Sequence, residues 1–202
     1  MLRELLIKFL RKSAVEHGKY VKIWRKFGNP SLDDWTEYMR RHAGFESMGD
    51  NCSINPAAVF TDPHLTRIGN NVWITGGFVS GHDGSAIMLN QAHGTKFDAV
   101  GPVVIGDNVF IGVGTYILPG SNIGPNTIIG AGSVVSGRIE GGMVYAGNPP
   151  RKIRTMEEHM AILESRNISY PWRAMIEARK GGYDPEMEPE LSRQRAAYFF
   201  KA

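Results

Sequence analysis

The sequence has 202 residues, 42% of them hydrophobic, and a net charge of +3, which suits one globular domain with a sizeable core and appended segments. Its basic residues are scattered, which excludes the concentrated electrostatic footprint of a nucleic-acid binder. The single cysteine, Cys52, forms no internal disulfide, no small-residue cleavage site follows the first apolar stretch, and no apolar run reaches the roughly 18 to 20 residues of a membrane span, so the expected location is cytoplasmic.

Residues 1–47 read as an N-terminal helical segment. In "LRELLIKFLRK" the residues Leu2, Leu5, Leu6, Phe9 and Leu10 recur at helical spacing with Arg and Lys between them, an amphipathic helix. A basic helix of this kind suits three neighbours: the protein's own core, a partner subunit, or a membrane surface contacted peripherally. A second helix is expected in "SLDDWTEYMRRHAG", with Ser31 as N-cap, Asp33 and Asp34 in the first turn and Gly44 as the stop.

Residues 48–154 carry an internal repeat. Ile105, Ile111, Ile117, Ile123, Ile129 and Val135 are spaced by six, and Gly106, Gly112, Gly124 and Gly130 follow four of them. Upstream the frame passes through Met48, Ile54 and Phe60 and, after a two-residue slip, through Ile68 and Ile74. Three short strands, each followed by a tight turn, return the chain to its starting edge, so eighteen residues make one triangular coil. The aliphatic residue points inward, the Gly, Asn or Asp behind it accommodates the turn with its permissive φ, and small residues such as Val109, Thr115, Ser133 and Cys52 fill the corners. One long excursion, a loop at about 81–104 containing "SGHDGSAIMLNQAHGTKFDAV", breaks the frame; insertions in a solenoid map to loops on one face and mark function. Residues 155–202 read as a C-terminal helical segment, with "TMEEHMAILESRN" and "YPWRAMIEARKGG" helical in pattern and "YDPEMEPE" a turn-rich connector.

Together "SGHDGS", the loop behind it, "VVIGDNVFIG", "IGAGSVVS" and "AGNPPRKIR" resemble the hexapeptide-repeat acetyltransferases that act on galactosides, xenobiotics and surface polysaccharides. The resemblance implies a mainly β protein, a left-handed parallel β-helix with N-terminal and C-terminal α-helical segments; periodicity alone gives no hand, and the general rule for parallel crossovers favours the right. It further implies an acetyl-CoA-dependent O-acetyltransferase acting on a sugar hydroxyl of a nucleotide sugar, oligosaccharide or polysaccharide precursor, with no metal, and assembled as a homotrimer whose active sites lie between subunits.

Acyl transfer to a hydroxyl needs a base, and histidine suits that role. Of six histidines, His82 stands where the frame breaks, the position the family gives its catalytic base; the alternative is a turn histidine satisfied by Asp83 or by backbone. Asp83, Ser85 and, on the loop, His93 are candidate contacts to the sugar. For acetyl-CoA the resemblance points to Phe110, which replaces a more usual Trp, to Gly112, Val113 and Ala131 along the pantetheine groove, to Ser136, and to Pro149, Arg151 and Lys152 beside the phosphates. Ser136 and Gly137 stand where many relatives have Thr-Lys, so one basic contact to the nucleotide is missing from the pattern. Two other readings remain open on sequence: a zinc hydro-lyase of carbonic anhydrase type, for which only His64, His82 and His93 offer ligands in the coil, and a non-catalytic scaffold.

Overall fold

The computed structural model describes residues 1–200 and divides into two compact units, Met1–Met156 and a second that begins at Glu157. The first unit opens with three helices, α1 (Leu2–His17), α2 (Val21–Phe27) and α3 (Leu32–His42). Ser31 caps α3 as its sequence predicts, its hydroxyl accepting from the Asp34 amide at 3.2 Å. The seven-residue α2 goes beyond the sequence expectation; Trp24, its one fully buried side chain, joins Trp35 and Tyr38 in an aromatic cluster.

The repeat then builds successive coils. The first contains β1 (Ser47–Met48), β2 (Ser53–Ile54) and β3 (Ala58–Phe60), and the second β4 (Thr66–Ile68), β5 (Trp73–Ile74) and β6 (Gly77–Val79). Here the chain leaves the stack, and the excursion, expected as loop throughout, contains a helix, α4 (Ser85–His93). The third coil holds β7 (Val103–Ile105), β8 (Val109–Ile111) and β9 (Thr115–Ile117), and the fourth β10 (Asn122–Ile123), β11 (Thr127–Ile129) and β12 (Val134–Val135). A partial fifth holds β13 (Arg138–Ile139) and β14 (Met143–Ala146), after which β15 (Arg151–Thr155) reverses and pairs antiparallel with β14.

Like strands of each coil pair in parallel to give three sheets, ordered β1-β4-β7-β10-β13, β15-β14-β11-β8-β5-β2 and β12-β9-β6-β3. Register stacks the aliphatic position on itself, as in Ile54, Ile74, Ile111 and Ile129, all at most 2% exposed. Val109, Thr115 and Ser133 fill corners as expected, and buried hydroxyls bond to backbone, Ser133 Oγ donating to the Gly130 carbonyl at 2.6 Å. Cys52 is partly buried against this core, its thiol 3.1 Å from the Gly69 carbonyl.

The glycines behind the aliphatic residues serve a different purpose from the one the pattern suggests. Positive φ falls instead three residues behind the aliphatic position, on Asn71, Asn108 and Asn126 as on Gly114 and Gly132, and the side chains of the three asparagines form a ladder of 2.9 Å amide bonds down one corner. Gly106 and Gly124 have ordinary φ, but a Cβ on either would stand 2.9 and 2.5 Å from a backbone nitrogen of the next coil. Close approach of coils, rather than torsional freedom, requires glycine there.

The first coil ends the stack, and side chains of the helices satisfy its outward backbone groups. Thr36 Oγ1 accepts from the Ile54 amide at 2.8 Å, Arg40 donates to the Met48 carbonyl and Arg25 to the Pro56 carbonyl, each at 3.0 Å. Leu10, Ala14, Trp24, Trp35 and Met39 continue the aliphatic core upward.

From the last residue of the first unit α5 (Met156–Ser169) runs into the second, followed by α6 (Arg173–Ala178) and α7 (Glu188–Phe200); Trp172 and Leu191 are buried there, with Tyr170 stacked on Trp172 at 4.7 Å. A turn at residues 185–187 leads into α7, in the segment expected as a connector. Among the described residues no helix is long and apolar enough to cross a membrane.

Candidate functional site

The excursion leaves and rejoins the stack through a narrow neck. Gly81 and Gly101 pair by a 2.8 Å backbone bond, Asp83 N donates to Ala99 O at 2.8 Å, and His82 forms an antiparallel bridge with Val100. The neck holds the His82 backbone on both sides. Ser80 adds a third restraint, donating from Oγ to the His82 carbonyl at 2.9 Å.

The imidazole is fixed by a residue that sequence reasoning misses. His82 Nδ1 lies 2.6 Å from Asp62 Oδ2, and the same oxygen accepts from the Thr61 hydroxyl at 2.6 Å and from the Gly81 amide at 3.0 Å. Thr61 foremost, with His82 and Gly81, holds the Asp62 carboxyl below its ordinary range against the opposing effect of burial. An ionised carboxylate only accepts, so Nδ1 carries the proton, and in the neutral ring the lone pair is on Nε2. The signal for Asp62 lies in the coil spacing: it stands one coil before His82, twenty residues upstream, just after β3, while His82 follows β6, which pairs with β3.

His82 lines a cleft of about 590 Å³ whose walls include Phe78, Asp83, Tyr116, Pro119 and Ser136. Phe78 and Tyr116 are cross-strand neighbours on the outward face of the third sheet, with ring centroids 6.0 Å apart. The structure therefore brings together His82, Asp83 and Ser136 from separate stretches of sequence. Asp83 also acts locally, since Oδ1 accepts from the Ser85 amide at 2.9 Å as α4 begins, and that bond foremost holds the Asp83 carboxyl below its ordinary range.

Other candidates lie elsewhere. Ser85 and His93 stand at the first and last turns of α4, both exposed, and neither lines the His82 cleft. Phe110 faces outward from the second sheet, in a separate cavity of about 290 Å³ with Trp73, Ile128 and Met156. Gly112, Val113 and Ala131 occupy the corner between the second and third sheets, where the Gly132 amide donates to Val113 O at 2.9 Å and a Cβ on Gly112 would strike the Ala131 backbone. Pro149 follows a cis peptide bond in the turn between β14 and β15, and Arg151 opens β15. Lys152 pairs with Glu140 at 2.6 Å, so this exposed ammonium already has an anionic partner. His64 lines yet another cleft, with Glu46 and Arg67, and among the described residues no group of three or more His, Cys, Asp or Glu side chains converges as a metal site.

Residues 102–137 match the family model described as bacterial transferase hexapeptide (six repeats). The chain is 36% identical over 127 residues to Protein CapG of Staphylococcus aureus, covering 60% of this chain and 73% of that protein. It is 35% identical over 114 residues to the galactoside O-acetyltransferase of Escherichia coli strain K12, covering 55% of this chain and 54% of the relative, so it spans about half the length of that enzyme. A solved hexapeptide-repeat-containing acetyltransferase from Vibrio cholerae superposes with a TM-score of 0.49 at 25% identity, covering 74% of this chain and 92% of that one.

Proposed function

Because this chain belongs to the hexapeptide-repeat family of bacterial transferases, with their left-handed parallel β-helix and acyl-transfer chemistry, we propose that it moves an acetyl group from acetyl-CoA to a sugar hydroxyl, with His82 as general base. One observation carries the reading: an imidazole anchored through Nδ1 to a carboxylate, with Nε2 available, at the wall of a cleft. His82 Nε2 takes the proton of the attacking hydroxyl as the new C–O bond forms. The C–S bond of the thioester then breaks, and the imidazolium returns that proton to the departing thiolate, so protons balance over the cycle. Asp62 keeps the correct tautomer and stabilises the transient positive charge. Asp83 and the aromatic wall of Phe78 and Tyr116 suit a sugar ring, which presents hydroxyls at its edge and C–H groups on its face.

For the acetyl donor we assign the corner of Gly112, Val113 and Ala131 to the pantetheine arm, Ser136 to its reactive end beside His82, and Arg151 to phosphate. Phe110 joins this assignment from its separate cavity, and Lys152 does so by leaving its ion pair with Glu140. The reading includes a homotrimer acting in the cytoplasm. Two of the three outward faces are apolar, with Trp73, Phe110 and Ile128 in register on the second sheet and Val59, Phe78 and Tyr116 on the third. The first sheet instead presents Arg67, Val104, Asn122 and Arg138. Burying the two apolar faces between copies would remove exposed aromatic surface from water.

The test is incubation of the protein and of its His82→Ala variant with acetyl-CoA and a panel of nucleotide sugars, galactosides and glycan precursors, followed by mass spectrometry. An acetylated product formed by the parent protein and not by the variant is expected; equal product from both removes His82 from the mechanism. Light scattering should give three times the chain mass, and a stable monomer that binds acetyl-CoA tightly would contradict the shared site.

A further inference from the structure

The helix α1 is only half seated. Leu10, Ser13 and Ala14 pack into the core, whereas Leu2, Leu5, Leu6 and Phe9, earlier on the same apolar stripe, are 83, 57, 56 and 57% exposed. The uncovered surface continues through Tyr20, whose ring lies 6.1 Å from that of Phe9, and α2 adds exposed Ile23 and Phe27. Nothing in the first unit covers it.

Charge narrows the choice of occupant. Residues 1–28 contain eight Lys or Arg against two Asp or Glu, while the whole chain carries only +3, so the rest of the sequence is net acidic. The impression of scattered basic residues holds for the chain as a whole and fails for this end. Arg11 is neutralised by Asp34 at 2.5 Å and Arg25 is held on the Pro56 carbonyl, but Arg3, Lys8 and Lys12 flank the stripe, and Lys22 and Lys26 follow on α2. Nucleic acid would use the cations and leave the Leu and Phe side chains without purpose. In the proposed trimer the copies meet through the second and third sheets and not through α1, and a further copy packed face to face on α1 would bring like charges together. An anionic bilayer satisfies both features, since its interface receives the apolar side chains while its headgroups meet the cations.

We propose that the half-seated α1, with α2, docks the protein on an anionic lipid surface. The binding is peripheral, with Leu2, Leu5, Leu6 and Phe9 entering the headgroup and acyl boundary. This surface lies outside the His82 cleft, and the inference stands independently of the acetyl-transfer reading.

The experiment is co-sedimentation of the full chain with vesicles of phosphatidylglycerol and phosphatidylcholine, against vesicles of phosphatidylcholine alone. Binding is expected only with the anionic lipid and should weaken steeply with added salt. The double variant Leu5→Glu/Phe9→Glu should bind at least about tenfold more weakly, and so should Lys8→Glu/Lys12→Glu, since both apolar insertion and headgroup attraction contribute. All four positions are exposed, so the variants should keep the parent's melting temperature, which identifies any folding defect. The proposal is overturned if the parent binds neither vesicle, if binding ignores the Leu5/Phe9 change, if that change instead alters the oligomeric mass, or if the chain retains an RNA oligonucleotide and no lipid.

Discussion

Three donors converge on one oxygen of Asp62, and this makes Asp62→Asn an unusually clean substitution. The Gly81 amide is fixed by backbone and donates only, so the asparagine must present its carbonyl, not its NH2, to that point. The tautomer of His82 is thereby kept and only the charge is lost. A charge-assisted hydrogen bond contributes about 1.5–3 kcal/mol and a neutral one about 0.5–1.5, so the imidazolium formed during transfer loses roughly 1–1.5 kcal/mol, or about tenfold in kcat. Asp62→Ala removes the acceptor altogether, frees the ring to rotate and leaves Gly81 N–H unpaired, and should approach the roughly 10²- to 10⁴-fold loss of a missing general base. Release of CoA thiol, measured with an acceptor that supports turnover, gives both rates. Should Asp62→Ala turn over like the parent, the dyad has no part in the chemistry; should Asp62→Asn be as slow as Asp62→Ala, the reasoning about the shared oxygen is wrong.

Thr61→Val deletes the hydroxyl that contributes most to lowering the Asp62 carboxyl, so its titration, followed by carboxyl-carbon NMR, should move up toward the ordinary 3.8. A carboxyl depressed on folding contributes stability above its unfolded value and loses it as pH falls through the folded one, so acid unfolding of the variant should begin at a higher pH than in the parent. In the core, Ile111→Ala leaves a gap in the ladder between Ile74 and Ile129 and should cost about 2–5 kcal/mol by chemical denaturation. Gly124→Ala drives a Cβ against the Gly141 amide nitrogen and should cost about 1–3 kcal/mol in the same measurement, whereas Gly132→Ala, with open space around it, should cost less than Gly124→Ala despite its φ of +71°. In the second unit, Glu190 is held to about 2 by the Arg193 guanidinium first and Gln194 second, and Arg193→Gln should raise its NMR midpoint.

The coil is legible because its packing is periodic: each inward Ile stacks on the Ile one coil away, and the sequence records that contact directly. His82 is legible for the converse reason, as the point where the period fails. Asp62 is hidden because its partner lies a coil away, across the stretch where the frame has slipped. The helix α4 buries only Ala86, so it shows no apolar stripe to betray it. For β15, "RKIRT" reads as a basic run; only its pairing with β14 makes it a strand. The fit of Phe110 and Lys152 to the site depends on surfaces that composition and spacing do not describe.

Stacked parallel coils have no intrinsic end, since each layer presents the groups that the next one pairs with. In this chain growth stops at one end because Thr36, Arg40 and Arg25 occupy those groups on the first coil, and in the second sheet at the other end because β15 lies antiparallel where a further parallel strand would have added. Finite length is thus a property conferred by side chains and by one reversed strand, not by the repeat. A chain stripped of α2, α3 and β15 would present raw backbone edges at top and bottom, and its natural fate would be end-to-end elongation into fibres instead of a discrete particle.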